Sequence, residues 1–416
     1  MDVGRTRPAG CGGGPRRGAG HRREPAVSGA FTRTPVIVWS ERTDTGPAET
    51  YGFAGSAGVV IEGQLLRGET ASDTVYVFMH PTTTLHLLPL PEAMAAAGRH
   101  VLCAASRYPK NDSTLIMEKA VLDLGRWVRW AREEAGYRRV VLMGWSGGGS
   151  LALFYQAEAE RPSVTSTPAG DPVSTVDAGL VPADGLVLVA AHLSRAETLT
   201  EWMDPSVLDE AQPGNRRPDL DIYAADPVHR PPYDAGFVAE FRAAQQDRNH
   251  RITAWVREQL ATLQAAGGPE AERPFLVHRT MCDVRWLDPA VDPNDRRPDW
   301  CYLGDPRAAN VGPLGLARFS TLRSWLSQWS LEASRAKGAE NASRVARTPV
   351  LQIENTADDA VPATHGRIVQ TALATPDKEY EQIAGATHYY KGQPEHLTRC
   401  LDLITDWCTR HDLADQ

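Results

Sequence analysis

Four apolar residues, Val140-Val141-Leu142-Met143, stand between Gly136 and Gly144, and together with the turn behind them they limit this chain more than any other stretch. A run this short and this apolar, bounded by glycines, has the pattern of a strand covered on both faces. Directly after it comes Gly144-Trp145-Ser146-Gly147-Gly148, and Ser150 to Glu158 reads as helix. A Gly-X-Ser-X-Gly turn between strand and helix holds its serine in a strained backbone conformation, and neighbouring side chains would clash there. Ser146 is thereby the candidate nucleophile.

The rest of the composition bounds what can surround it. The 416 residues allow two to three domains, and 42% hydrophobic with 23% charged residues is ordinary for a globular protein. The formal charge of −8 carries no basic block in the body of the chain, which argues against nucleic acid as a partner. No apolar run reaches the roughly 18 residues of a membrane span. Residues 1–30 place Arg5, Arg7, Arg16, Arg17, Arg22 and Arg23 among glycines and prolines without the apolar segment of a signal peptide, and read as a disordered tail. The six cysteines show neither zinc-site nor disulfide-framework spacing, which favours reduced thiols and a cytoplasmic setting. Cys282 and Cys301 flank a loop and would be the pair to bridge in an exported protein.

Periodicity organises the chain into strands alternating with helices. Val36 to Trp39 and Val59 to Leu66 predict an antiparallel pair, and Val75 to Met79 a buried strand ending at His80-Pro81. A helix over Glu92 to Ala97, a strand at Val101 to Cys103 and a helix over Leu115 to Ala135 lead to the strand before Ser146. Arg161 to Pro182 reads as surface loop, and Leu186 to Val189 as a further strand. This alternation predicts an α/β fold with a doubly wound, mostly parallel sheet over residues 31–191 and 346–416.

Residues 192–345 interrupt it and predict an inserted, mainly helical cap, with helices over Phe237 to Leu263 and Leu316 to Ser334. The insertion holds six of the chain's 11 tryptophans. Such aromatics either build the insertion's own core or line a pocket, and Trp286, Trp325 and Trp329 are the candidates for the pocket.

A serine hydroxyl needs a general base, and the base needs a third group to orient it. Beyond later strand ends stand Asp358, with Val361-Pro362 behind it, and Gly385-Ala386-Thr387-His388. The Gly144 to Gly148 turn resembles the nucleophile elbow of the α/β-hydrolases, Asp358 to Pro362 resembles that family's Asp-X-X-Val-Pro, and Gly385 to His388 its Gly-X-X-His, in the family's order. The resemblance covers residues 34–191 and 346–412. It implies Ser146 as nucleophile, His388 as base and Asp358 as orienting acid, with Asp359 and Glu354 as rivals for the third place. It also implies an oxyanion hole, but where the family commonly has His-Gly this chain has His80-Pro81-Thr82-Thr83-Thr84. Proline has no N–H, so the N–H groups of Thr82 and Gly147 are the expected donors, with the Thr82 hydroxyl as an additional candidate. His80 is expected to brace that loop and, with Thr83 and Trp145, to face substrate. Arg107-Tyr108 and Asn111-Asp112-Ser113 lie at the same edge, as loop anchors or substrate contacts.

No metal or other cofactor is expected, since His80, His86 and His192 lack zinc-type spacing. The resemblance implies a serine hydrolase cleaving a carboxylic ester, thioester or lactone of a small molecule, with a bulky or aromatic group suggested by the tryptophans. Carbon–carbon bond hydrolysis or acyl transfer would use the same three residues, and a receptor would keep only the scaffold. Oligomeric state is not legible in the sequence.

Overall fold

The computed structural model describes residues 29–41 and 58–414. Nearly all of the stretch read as a disordered tail therefore lies outside the described residues. Strands β1 (Phe31–Glu41) and β2 (Gly58–Gly68) pair antiparallel along their whole length. They lead into β3 (Thr74–His80), α1 (Pro89–Ala96), β4 (His100–Ala105), α2 (Met117–Glu133), β5 (Arg139–Ser146), α3 (Gly148–Glu160) and β6 (Gly185–Ala191). All seven residues of β3 are buried because both faces of the sheet are covered. Val75, Val77 and Met79 point to the side of α2 and α3, where Leu124, Val128 and Leu151 join them in one core. Tyr76 and Phe78 point the other way, into a second core with Met94 of α1.

Between β6 and the next strand of the sheet comes the long insertion. It contains α4 (Arg195–Trp202), α5 (Ala235–Ala266), β7 (Pro274–Leu276), α6 (Val284–Leu287), α7 (Pro306–Val311), β8 (Phe319–Thr321), α8 (Leu322–Ser324) and α9 (Gly338–Ala342). Helix α5 is unbroken, started by Asp234, whose carboxylate accepts the N–H of Phe237 at 2.9 Å. The helix expected over Leu316 to Ser334 forms only over residues 322–329. Phe319–Thr321 pairs instead with Pro274–Leu276, and Trp325–Trp329 makes a single π-helical turn. Wide turns of this kind insert an extra residue and occur often near functional sites. The insertion has cores of its own, one of which gathers Leu199, Ile252, Val256, Trp325 and Trp329.

The sheet then resumes with β9 (Val350–Asn355), α10 (Ala363–Ala372), β10 (Lys378–Ile383) and α11 (Pro394–Arg410). The eight strands run in the order β1-β2-β4-β3-β5-β6-β9-β10, parallel from β4 onward. Strand β5 is central, so the turn after it opens at the carboxyl edge, where such sheets hold ligands. Trp407 and Ile404 of α11 close the second core. The five described cysteines, Cys282 and Cys301 among them, are buried and free, so that pair forms no bridge. Among the described residues, no helix is long and apolar enough to cross a membrane.

Candidate active site

Ser146 ends β5 with φ at +53°, the left-handed region that a residue with a side chain occupies at a cost of about 1–3 kcal/mol. The register between β5 and β6 shifts at Trp145/Ser146, and Ala191 lies opposite Ser146. Helix α3 can start this close to the sheet because residue 148 is glycine. A Cβ there would stand 2.5 Å from the backbone oxygen of Met79. The strain at Ser146 is thus held by packing on β3 and β6, and the side chain is left facing a cavity at the sheet edge.

His388 follows β10 and brings its ring back over that turn. Its Nε2 lies 3.1 Å from Ser146 Oγ, and its Nδ1 lies 2.7 Å from Asp358 Oδ2. The other carboxylate oxygen of Asp358 accepts the N–H groups of Ala360 and Val361, each at 2.8 Å, so the loop after β9 points the carboxylate at the ring. Trp145 supports the far side: its Nε1 donates to the backbone oxygen of His388 at 3.3 Å, with ring centroids 4.7 Å apart. All three residues of this relay are at most 8% exposed. The rivals lie elsewhere. Asp359 is half-buried, its carboxyl pushed up to about 6 by burial and by the neighbouring Asp358 charge. Glu354 bonds Tyr380 and Gln382 across to β10.

The insertion grips this acid loop from outside. Trp286 Nε1 donates to the Asp359 backbone oxygen at 2.9 Å, and Asn294 Nδ2 donates to that of Asp358 at 2.9 Å. Trp286 therefore braces the acid loop and does not line the cavity at Ser146, correcting the expectation that it meets substrate. Trp325 is corrected likewise. It is fully buried in the insertion's core, with Nε1 on Thr253 Oγ1 at 3.0 Å. Trp329 is in the cavity wall, under the guanidinium of Arg195 at 4.2 Å from its ring centroid.

His80, Thr82, Thr83, Trp145 and Gly147 also face the cavity. The Thr82 N–H, expected to serve the oxyanion, donates to His80 Nδ1 at 3.2 Å, as does the N–H of Thr83 at 3.0 Å. A ring nitrogen facing two donors is an acceptor, so the loop curls onto its own histidine. His80 is held neutral down to about pH 3 by burial, then by the charges of Arg195 and His388. Gly147, the N-cap of α3, offers the N–H that a helix start leaves without an intrahelical acceptor.

Five further lining residues, His192, Arg195, Trp202, Tyr302 and Tyr389, are not distinguished by any motif in the sequence. The available signal for three of them is their place just after β6, at the same carboxyl edge as Ser146. His192 Nδ1 lies 3.0 Å from Thr198 Oγ1, whose hydroxyl donates to the Ser194 backbone oxygen at 2.7 Å. Both contacts are hydrogen bonds only if His192 carries its proton on Nδ1, leaving Nε2 an acceptor. Arg195 is almost fully buried, with Nε on Gln328 Oε1 at 3.0 Å and Nη2 on Asp112 Oδ2 at 2.9 Å. Asp112 thus contacts the site, whereas Arg107 pairs with Asp123 inside the core and Asn111 makes a local turn to Ser113. The cavity measures about 200 Å³, below the roughly 300–1,000 Å³ of pockets for drug-sized ligands. Of the three tryptophans expected to border substrate, Trp329 lines this cavity.

No protein-family model and no curated protein sequence matches the chain. Among solved structures, the α/β hydrolase GrgF from Penicillium sp. sh18 superposes with a TM-score of 0.51 at 11% identity, over 91% of this chain and 99% of that one. DcsB, solved with a substrate analogue, gives 0.49 at 13% identity over 91% and 99%. An esterase domain of a Rhodothermus marinus protein gives 0.43 at 12% over 91% and 98%. With its parallel sheet, its crossing order and its strained serine turn, the chain has the α/β-hydrolase fold. At such identities the likeness is one of fold, and the chemistry has to be argued from this chain's own residues.

Proposed function

We propose that the protein is a serine hydrolase that cleaves an ester, thioester or lactone of a small molecule through an acyl-enzyme. The observation that carries this reading is the unbroken hydrogen-bonded line from Ser146 Oγ through His388 to Asp358, behind a serine held at positive φ. Ser146 Oγ attacks the carbonyl carbon as His388 Nε2 takes its proton, and Asp358 stabilises the imidazolium from Nδ1. The tetrahedral oxyanion expels the leaving group, which takes the proton from His388. Water then repeats the sequence, frees the acid and restores the serine. Residues 192–345 act as a cap in this reading, supplying Arg195, Trp202, Tyr302 and Trp329 to the cavity. A fluorophosphonate probe should label Ser146, and a folded sample that resists the probe would favour a receptor instead. Product analysis separates hydrolysis of an ester from acyl transfer or carbon–carbon cleavage, which would use the same residues.

The lining supports a small acyl group carrying a carboxylate or another strong acceptor. Arg195 and Tyr302 both line the cavity, and Arg195 Nη1 and the Tyr302 hydroxyl make no hydrogen bond among the described residues. A charged hydrogen bond contributes about 1.5–3 kcal/mol. Monoethyl succinate should therefore exceed ethyl butyrate in kcat/KM by about tenfold or more. Arg195→Met, which keeps a stem over Trp329, should bring that ratio to one or below. An anchoring role alone would lower the melting temperature and leave the ratio unchanged.

A further inference from the structure

An acyl-transfer site needs two donors aimed at the oxyanion, and the loop after β3 usually supplies one from its backbone. Here it does not. Pro81 has no N–H, and the N–H groups of Thr82 and Thr83 both end on His80 Nδ1. Thr82 contributes its backbone oxygen elsewhere, accepting the N–H of Lys110 at 2.6 Å. The Gly147 N–H is left without its backbone partner across the site.

The imidazole that consumes those donors offers one in return. With Nδ1 an acceptor and the ring neutral, the single ring proton is on Nε2. That nitrogen makes no hydrogen bond among the described residues, and the ring borders the cavity that holds Ser146 and His388. It also lies against Gly147: a Cβ at residue 147 would stand only 2.6 Å from His80 Nε2. The space that a side chain at 147 would take is taken by the imidazole edge.

We propose that His80 donates its Nε2–H to the oxyanion, as the second donor beside the Gly147 N–H. The assignment rests on the acyl-enzyme reading and adds a catalytic residue to it. It accounts for Pro81, since a loop whose N–H groups serve the ring needs no donor at 81. It accounts for the absence of a side chain at 147. It also keeps the two histidines from competing, because Nε2 already carries a proton and Nδ1 is engaged, so His80 has no free lone pair with which to act as a base. A neutral imidazole is suited to this task, as it polarises an oxygen without giving up its proton.

Two substitutions separate donation from bracing. In His80→Asn the amide oxygen reaches the position of Nδ1 and still accepts from Thr82 and Thr83, but nothing reaches the position of Nε2. In His80→Gln the longer amide restores an N–H near Nε2 and gives up the acceptor. With p-nitrophenyl acetate, His80→Asn should lose about 10²–10³-fold in kcat with KM little changed, and should bind a trifluoromethyl ketone correspondingly less tightly. His80→Gln should retain more activity than His80→Asn. An Asn variant as active as the Gln variant, or more active, would show that bracing is the ring's only role and overturn the proposal. A wild-type protein inert to every ester and to the fluorophosphonate would overturn the acyl-enzyme reading and this assignment with it.

Discussion

Ser146→Ala is expected to lower kcat by about 10⁶-fold, and His388→Ala by a similar factor, with the double variant no worse than either. The non-additivity is the informative part. Once either partner of the 3.1 Å Oγ···Nε2 contact is gone, the other has no proton transfer left to perform. Residual turnover would come from the cavity and its donors. The fold should tolerate the serine change, because the turn is held by the seating of α3 on β3 and β6 around Gly148, and that does not involve Oγ. Initial rates on a small acetate ester, with contaminating esterase excluded by a mock purification, would check it alongside a melting curve. Activity near wild type in a folded Ser146→Ala sample would remove the serine from the mechanism.

Asp358→Asn should cost about 10⁴-fold in kcat, and Asp359→Asn far less. The two carboxylates are adjacent in sequence, yet only Asp358 meets the imidazole, at 2.7 Å. An amide at 358 can present its NH₂ to Nδ1, which favours the ring tautomer with its proton on Nε2 and leaves no base for Ser146. Asp359 contributes its backbone oxygen to Trp286, and an amide side chain preserves that bond. The comparison is best made on kcat at one pH well above 6, where the raised Asp359 carboxyl is ionised. The reverse order of damage would transfer the orienting role to Asp359.

Several elements could be read from local pattern because one periodic signal sufficed. The strand before Ser146 is a bounded apolar run. Helix α5 carries Phe237, Phe241, Ile252, Val256 and Leu263 on its buried side and is capped by Asp234, so a helix over Phe237 to Leu263 was predictable from side chains alone. The segment from Leu316 to Ser334 shows the limit. Leu322, Trp325, Leu326 and Trp329 have helical spacing, yet pairing of Phe319–Thr321 with Pro274–Leu276 claimed the start and a π turn replaced the middle. A partner strand distant in the chain overrode local preference there.

The sequence by itself determined the alternation of strands and helices and the glycine-rich serine turn, because each depends on residue type and spacing within a few residues, whereas Asp358 and His388 as partners of Ser146 were implied by the resemblance to the α/β-hydrolases. Tertiary structure alone decided the rest. Thr82 was expected to face the oxyanion, and its N–H goes to a ring whose orientation depends on packing beside Gly147. Trp286, Trp325 and Trp329 are alike in composition, yet one braces a loop, one fills a core and one borders the cavity with Arg195. Hydrogen-bond direction and burial are relations between distant segments, and they acquire values only once the chain has closed around them.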